Sequence, residues 1–291
     1  MNIDGILVPV ITPFQQTGEV NYEALGELLE HLLAAGVSGI VTCGTTGEYY
    51  ALDESERAEV LRYIATTVGD RAALLAGVND MSTSGAIARA KQARSLGYQG
   101  LMAAPPIYCL PDQHEIVSHF QTLADTVNMP IVMYNFPARS GVEISIDSVI
   151  ELAKNPWIVG IKESSGDFSR ALTLLNTTFD SFQVVCGSDD QGADYLAWGA
   201  RSWIGGCANY LAADHVAMYQ AAVIGDHERV RSIMARLLPV IQNAESSDYN
   251  QKAKLGVESL GIAAGAIRAP LLPISKDDEA KFLTALQQTQ Q

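Results

Sequence analysis

Four cysteines in 291 residues form no CxxC pair and no Cys/His cluster at zinc spacing. A structural zinc site and a disulfide scaffold are both excluded by that pattern. Three of the four, Cys43, Cys186 and Cys207, sit inside apolar runs, where a cysteine acts as a small hydrophobe, and all are expected to be reduced thiols. Basic residues are also in deficit: 19 Lys and Arg face 33 Asp and Glu, for a net charge of −14. Nucleic acid and anionic membrane are unsuited to such a field. No apolar run reaches the ~18 residues of a membrane span, and no basic segment precedes an apolar stretch at the start of the chain. The expectation is a soluble, cytoplasmic protein.

What the chain has in quantity is short apolar runs. Eight recur, Ile6–Phe14, Gly39–Gly44, Ala73–Asn79, Gly100–Pro106, Pro130–Phe136, Ile158–Glu163, Gln183–Gly187 and Ser202–Asn209. Their starts are roughly one βα unit apart. Helix starts lie between them, at Asp53-Glu54-Ser55-Glu56, Ser82-Thr83-Ser84 and Pro111-Asp112, and helix-ending glycines at Gly36 and Gly97. Alternating strands and helices imply a parallel sheet, and eight units fit a closed (β/α)₈ barrel better than an open sheet of five or six strands. Residues 1–224 are expected to form this barrel. Residues 225–291 read as a small helical extension, with helices over Asp226–Asn243, Gln251–Leu260 and Asp277–Gln288 and with Pro270 and Pro273 breaking the chain between the last two.

One charge is out of place in this pattern. Lys162 follows the strand core Ile158-Val159-Gly160-Ile161, and an ammonium there is costly unless paired or neutral. Alternation puts Lys162 on the face of Ile158 and Gly160. If that face looks into a barrel, the side chain is a candidate amine nucleophile; otherwise it is a strand-end lysine reaching for water.

Barrel chemistry is built at the C-terminal ends of the strands. Gly44-Thr45-Thr46-Gly47-Glu48 lies at one such end and suits a carboxylate, since glycines let backbone N–H groups converge and two hydroxyls add donors. The same run also reads as an ordinary capped turn. Tyr134, one strand before the lysine, offers a phenol for proton exchange, or else a buried structural tyrosine. Asp189-Asp190 are the residues on which a divalent-metal site would rest, but no histidine or second carboxylate cluster accompanies them in the sequence.

Together, Gly44-Thr45-Thr46-Gly47-Glu48, Tyr134-Asn135-Phe136-Pro137-Ala138-Arg139-Ser140-Gly141 and Gly160-Ile161-Lys162-Glu163-Ser164-Ser165-Gly166-Asp167 resemble the dihydrodipicolinate synthase / N-acetylneuraminate lyase family. The similarity runs in register to Arg268-Ala269-Pro270-Leu271. It implies a class I, Schiff-base lyase on a TIM barrel, without cofactor or metal, assembled as a homotetramer of tight dimers. By that resemblance Lys162 forms an imine with pyruvate or another 2-oxo acid, and Tyr134 moves the proton at the reacting carbon. Thr45 links Tyr134 to Tyr108 of the neighbouring subunit. Thr45 and Thr46 hold the 2-oxo acid carboxylate, and Gly47 and Ile204 complete the binding set.

Arg139 stands where the lysine-pathway synthases bind the carboxylate of aspartate semialdehyde, and a guanidinium can grip a carboxylate with two bonds. Other positions depart from that subgroup. Pro105-Pro106-Ile107-Tyr108-Cys109 lacks the first tyrosine of the Thr-Pro-Tyr-Tyr-Asn pattern, and Tyr49 and Tyr50 are bulky for a lysine-inhibitor pocket. Both argue against feedback inhibition by lysine. The alternatives within the family are a 2-keto-3-deoxy sugar-acid aldolase or dehydratase, an N-acetylneuraminate-lyase-like aldolase, and a pyrroline-carboxylate deaminase.

Overall fold

A computed structural model describes residues 1–289. The strands are β1 (Gly5–Pro9), β2 (Gly39–Thr42), β3 (Ala73–Gly77), β4 (Gly100–Ala103), β5 (Ile131–Asn135), β6 (Ile158–Glu163), β7 (Gln183–Cys186) and β8 (Ser202–Ile204). They pair in parallel in chain order, and β8 closes on β1. Each coincides with one of the eight apolar runs, β1 starting one residue earlier, at Gly5. Most are shorter than their run, because the apolar chain continues into buried turns: after Pro9, for example, Val10, Ile11 and Phe14 remain in the core.

The outer layer holds α1 (Tyr22–Ala34), α2 (Glu54–Val68), α3 (Thr83–Ser95), α4 (Gln113–Val127), the short α5 (Pro137–Ser140), α6 (Ile146–Leu152), α7 (Phe168–Leu175), α8 (Gly192–Ala197) and α9 (Ala212–Val223). Local chemistry explains where they begin. Asp53 and Asp112 each accept from the backbone of the first turn while Glu56 and Glu115 reach back, which makes two capping boxes at α2 and α4. Gly36 and Gly97 follow α1 and α3 at φ of +85° and +87°, a conformation glycine adopts without a Cβ penalty.

Side chains split between two cores by strand alternation. Leu7, Val41, Leu75, Met102, Val132 and Val185 fill the barrel lumen, and the opposite faces pack against the helices. Strand β6 departs from simple alternation. Ile131 pairs with Ile158 but Val132 with Gly160, so β6 carries one extra residue there. This bulge reverses the facing of the strand before it. Ile158 therefore belongs to the helix-facing core and does not share the face of Lys162, while Val159 packs against the lumen. Beyond the bulge, Lys162 is paired with Tyr134 on one side and Val185 on the other, and all three point into the barrel.

Past the last βα unit come α10 (His227–Ser246), α11 (Tyr249–Glu258) and α12 (Lys276–Gln288). Helix α10 runs three residues beyond the end expected from sequence, which brings Glu245 onto its final turn. The last two residues of the expected extension lie outside those described.

Candidate active site

A cavity of about 300 Å³ opens at the C-terminal end of the barrel. Lys162 lies in its wall, 6% exposed, with Nζ 4.5 Å from the centre of the Tyr134 ring. Among the described residues Nζ has no carboxylate within ion-pair distance and no hydrogen-bond acceptor, and it faces the Tyr134 ring. Tyr134 is equally buried, on the adjacent strand and in register.

Strand β2 delivers the threonines. Cys43 takes a φ of +55° and Glu48 one of +53°, so the chain from Gly44 to Glu48 folds back over the barrel end. Gly77 permits the approach, since a Cβ there would stand 2.3 Å from the Cys43 carbonyl oxygen. Thr45 and Thr46 line the cavity. Gly47 does not: its carbonyl accepts from the Thr12 hydroxyl at 2.8 Å, and it holds the turn from behind. Ile204 is likewise outside the lining, fully buried in the lumen layer. Beneath the turn, Glu48 is buried and paired with Lys254 Nζ at 2.7 Å, and the Arg268 backbone N–H donates to its other oxygen. The C-terminal helices thereby fix the β2 turn.

Arg139 rides on α5, its guanidinium 5.3 Å above the Phe136 ring, and reaches the cavity from the rim. One buried network holds this loop and the β6 loop together. Glu163, next to the lysine but facing outward, accepts from Asn135 Nδ2 at 3.0 Å, from the Ser165 N–H at 2.8 Å and from Arg170 Nε at 2.9 Å. Asn135 in turn accepts from the Ile144 N–H. A buried carboxylate so fully engaged is a structural fixture, and it explains the acid beside Lys162 in sequence.

Tyr108 is not brought to the cavity of its own chain. It is 90% exposed at a φ of +75°, beside the exposed Cys109 and Leu110. Tyr49, Tyr50 and Ile107 line an adjoining hollow of about 230 Å³ that shares Thr45, Tyr134, Phe136 and Arg139 with the main cavity. Burial, with Glu48 near, pushes the Tyr50 phenol up to about 12.

The far wall was not anticipated. Ser164, Ser165, Gly166, Gly187, Ser188, Asp190, Gln191, Glu245 and Tyr249 complete the lining. Asp189 is not available to a metal ion: Trp203 Nε1 donates to one oxygen at 2.9 Å, and the Cys207 N–H and Tyr249 hydroxyl donate to the other at 2.9 and 3.0 Å. Glu245 accepts the Asp189 N–H at 2.7 Å. Burial first, then the Asp189 and Asp190 charges, push its carboxyl up to about 9. A signal for Glu245 does exist in the sequence. Leu237 and Ile241 lie on the buried stripe of α10, and the next position four residues on is Glu245.

Comparison with known proteins identifies the family. The model of the dihydrodipicolinate synthetase family matches residues 2–289. The chain belongs to that family. It is similar to the 4-hydroxy-tetrahydrodipicolinate synthase of an Exiguobacterium species, 35% identical over 98% of this chain and 97% of that one. Among solved structures, the same enzyme from Methylacidiphilum fumariolicum superposes with a TM-score of 0.96 at 30% identity, covering 99% of this chain and 96% of the other. A chloride-inhibited dihydrodipicolinate synthase from Acinetobacter baumannii, complexed with pyruvate, gives 0.96 at 28% identity over 99% of both chains. The chain is an enzyme, a lyase of the Schiff-base type.

Proposed function

We propose that this chain is a 4-hydroxy-tetrahydrodipicolinate synthase that joins pyruvate to a carboxylate-bearing aldehyde through an imine on Lys162. The observation that carries the reading is a buried lysine with no acidic partner, facing a tyrosine ring inside a hydroxyl-lined cavity. An amine free of a counter-ion attacks the 2-oxo carbonyl, and loss of water gives a protonated imine. That imine draws electrons from the neighbouring methyl carbon, which loses a proton and attacks the aldehyde. Tyr134 is the nearest phenol to these steps and takes the part of proton donor and acceptor. Thr45 and Thr46 present hydroxyls to the pyruvate carboxylate, Gly47 shapes their turn and Ile204 closes the floor below. Arg139 at the rim takes the carboxylate of the second substrate.

The remaining role belongs to a second copy. Tyr108 and Leu110 project into solvent at positive φ, an arrangement that suits insertion into a neighbour, and a homotetramer built from tight dimers would let Tyr108 complete the Thr45–Tyr134 relay across the contact. Residues 225–289 act as an extension that roofs the barrel mouth rather than as a separate domain. The four free thiols suit the cytoplasm, and no helix among the described residues is long and apolar enough to cross a membrane.

Borohydride reduction in the presence of pyruvate, followed by peptide mapping, tests the reading. The expected result is a reduced adduct on Lys162, absent in Lys162→Ala. Turnover with no adduct on the wild-type enzyme would overturn it.

A further inference from the structure

The turn that carries Thr45 is gripped from behind by one face of α11. Within the turn, the Gly47 N–H donates to the Gly44 carbonyl at 3.1 Å and the Glu48 N–H to the Thr45 carbonyl at 3.1 Å. Asn250, in the first turn of α11 and 4% exposed, adds a donor from outside. Its Nδ2 donates to the Thr45 carbonyl at 2.9 Å and to the Tyr50 hydroxyl at 3.0 Å. Lys254, one helical turn further on the same face, holds Glu48 at 2.7 Å. Chemistry fixes which way the amide points. Both hydrogens of Nδ2 are used, and the opposite orientation would set Oδ1 against the Thr45 carbonyl oxygen. Asn250 lines neither the main cavity nor the hollow beside it, so any effect it has on the reaction passes through the turn.

Stability is a poor explanation for this residue. Asn250 Oδ1 is buried with no hydrogen-bond partner among the described residues, which costs the folded state. Neither group that the amide serves depends on it: the Thr45 carbonyl keeps the Glu48 N–H, and Tyr50 is 41% exposed. A leucine of similar shape would remove the unpaired oxygen and orphan nothing. What the amide does give is a second fixed bond on the carbonyl of the residue whose hydroxyl must meet Tyr134. Resting on the proposed imine mechanism, we infer that Asn250 is a positioning residue for the Thr45 hydroxyl. Helix α11 thereby sets the geometry of the proton relay without touching substrate. Small movements matter here, since a misplacement of about 1 Å at a reacting group can cost about 10²-fold in rate.

A double-mutant cycle tests the inference. Asn250→Leu should lower kcat by about tenfold, with KM for the second substrate little changed and a melting temperature no lower than that of wild type. Asn250→Asp keeps the shape, but a carboxylate has no hydrogen for the Thr45 carbonyl, so this variant should be at least as slow. Thr45→Val removes the hydroxyl that Asn250 is held to serve, and in that background Asn250→Leu should cost less than about twofold. The readouts are kcat and the single-turnover rate of borohydride-trapped adduct formation, which stays measurable in slow variants. If Asn250→Leu is unstable, Asn250→Asp carries the same cycle. The inference is overturned by a normal kcat in both Asn250 variants, or by a full loss repeated in the Thr45→Val background. Pyruvate trapping on wild-type Lys162 is scored separately: its absence sinks the imine reading, whereas its presence with additive losses sinks only the role of Asn250.

Discussion

The strand-borne half of the cavity and its helix-borne wall are built on different principles. Lys162 and Tyr134 sit on paired strands of the closed barrel, and Thr45 and Thr46 on the turn just past β2; the paired strands hold the first two in register. Asp190, Glu245 and Tyr249 come from a turn and from two helices that follow the last barrel unit. The first half has an unpaired cation and hydroxyls, as imine chemistry needs. The second carries the carboxyls of Asp190 and Glu245, and burial first, then the Asp189 and Asp190 charges, hold that of Glu245 above its ordinary range. The barrel thus carries the lysine and the tyrosine, and the added helices complete the wall of the cavity around them.

Substitutions that break this division rank by size. Lys162→Ala should abolish turnover, a loss of more than about 10³-fold in kcat, because no other amine lines the cavity among the described residues. Tyr134→Phe removes the phenol but keeps the ring beside Nζ, and kcat should fall by about 10²- to 10³-fold with KM for pyruvate little changed. Either variant with near-normal kcat would move the chemistry away from the strands.

Arg170→Met tests the scaffold instead. It strips Glu163 of its buried cation, and removing one partner of a buried pair costs on the order of 3–5 kcal/mol. The melting temperature should drop, and because the same carboxylate anchors the loops of Arg139 and Ser165, KM for the second substrate should rise as well. Arg139→Ala should raise that KM by about 10- to 100-fold, the worth of one charge-assisted contact, and leave pyruvate trapping intact.

The smallest effect is one of pH. Glu245 is an acid whose folded value, about 9, lies above its ordinary 4.5. The folded protein therefore holds the proton more tightly than the unfolded chain, and the stability this gives is lost as pH rises from about 4.5 toward 9. Glu245→Gln removes that slope, so the variant should gain thermal stability relative to wild type at pH 8 to 9. Parallel melting curves across this range would contradict the raised value of Glu245.

The same two regions differ in how far they could be read from sequence. Strand runs, helix-start signals and the three motifs marked the barrel and the residues at its strand ends, because these signals are local. The facing of Ile158 was misjudged, since a one-residue bulge in β6 leaves no mark in composition. Glu245 and Tyr249 were missed for another reason. They approach the cavity from helices some 80 residues after Lys162 in sequence, and only the packing of α10 against the turn after β7 brings them there. Asp190 was visible only as half of an acidic pair, and its partner in the structure is Glu245 rather than a metal ion.

The most direct measurement is the rate of borohydride-trapped adduct formation from pyruvate alone, in wild type, Tyr134→Phe and Glu245→Gln. The division of labour predicts that Tyr134→Phe slows the adduct strongly while Glu245→Gln stays within about twofold of wild type. Equal slowing by the two substitutions would contradict it, and would mean that the helical wall takes part in the imine chemistry itself.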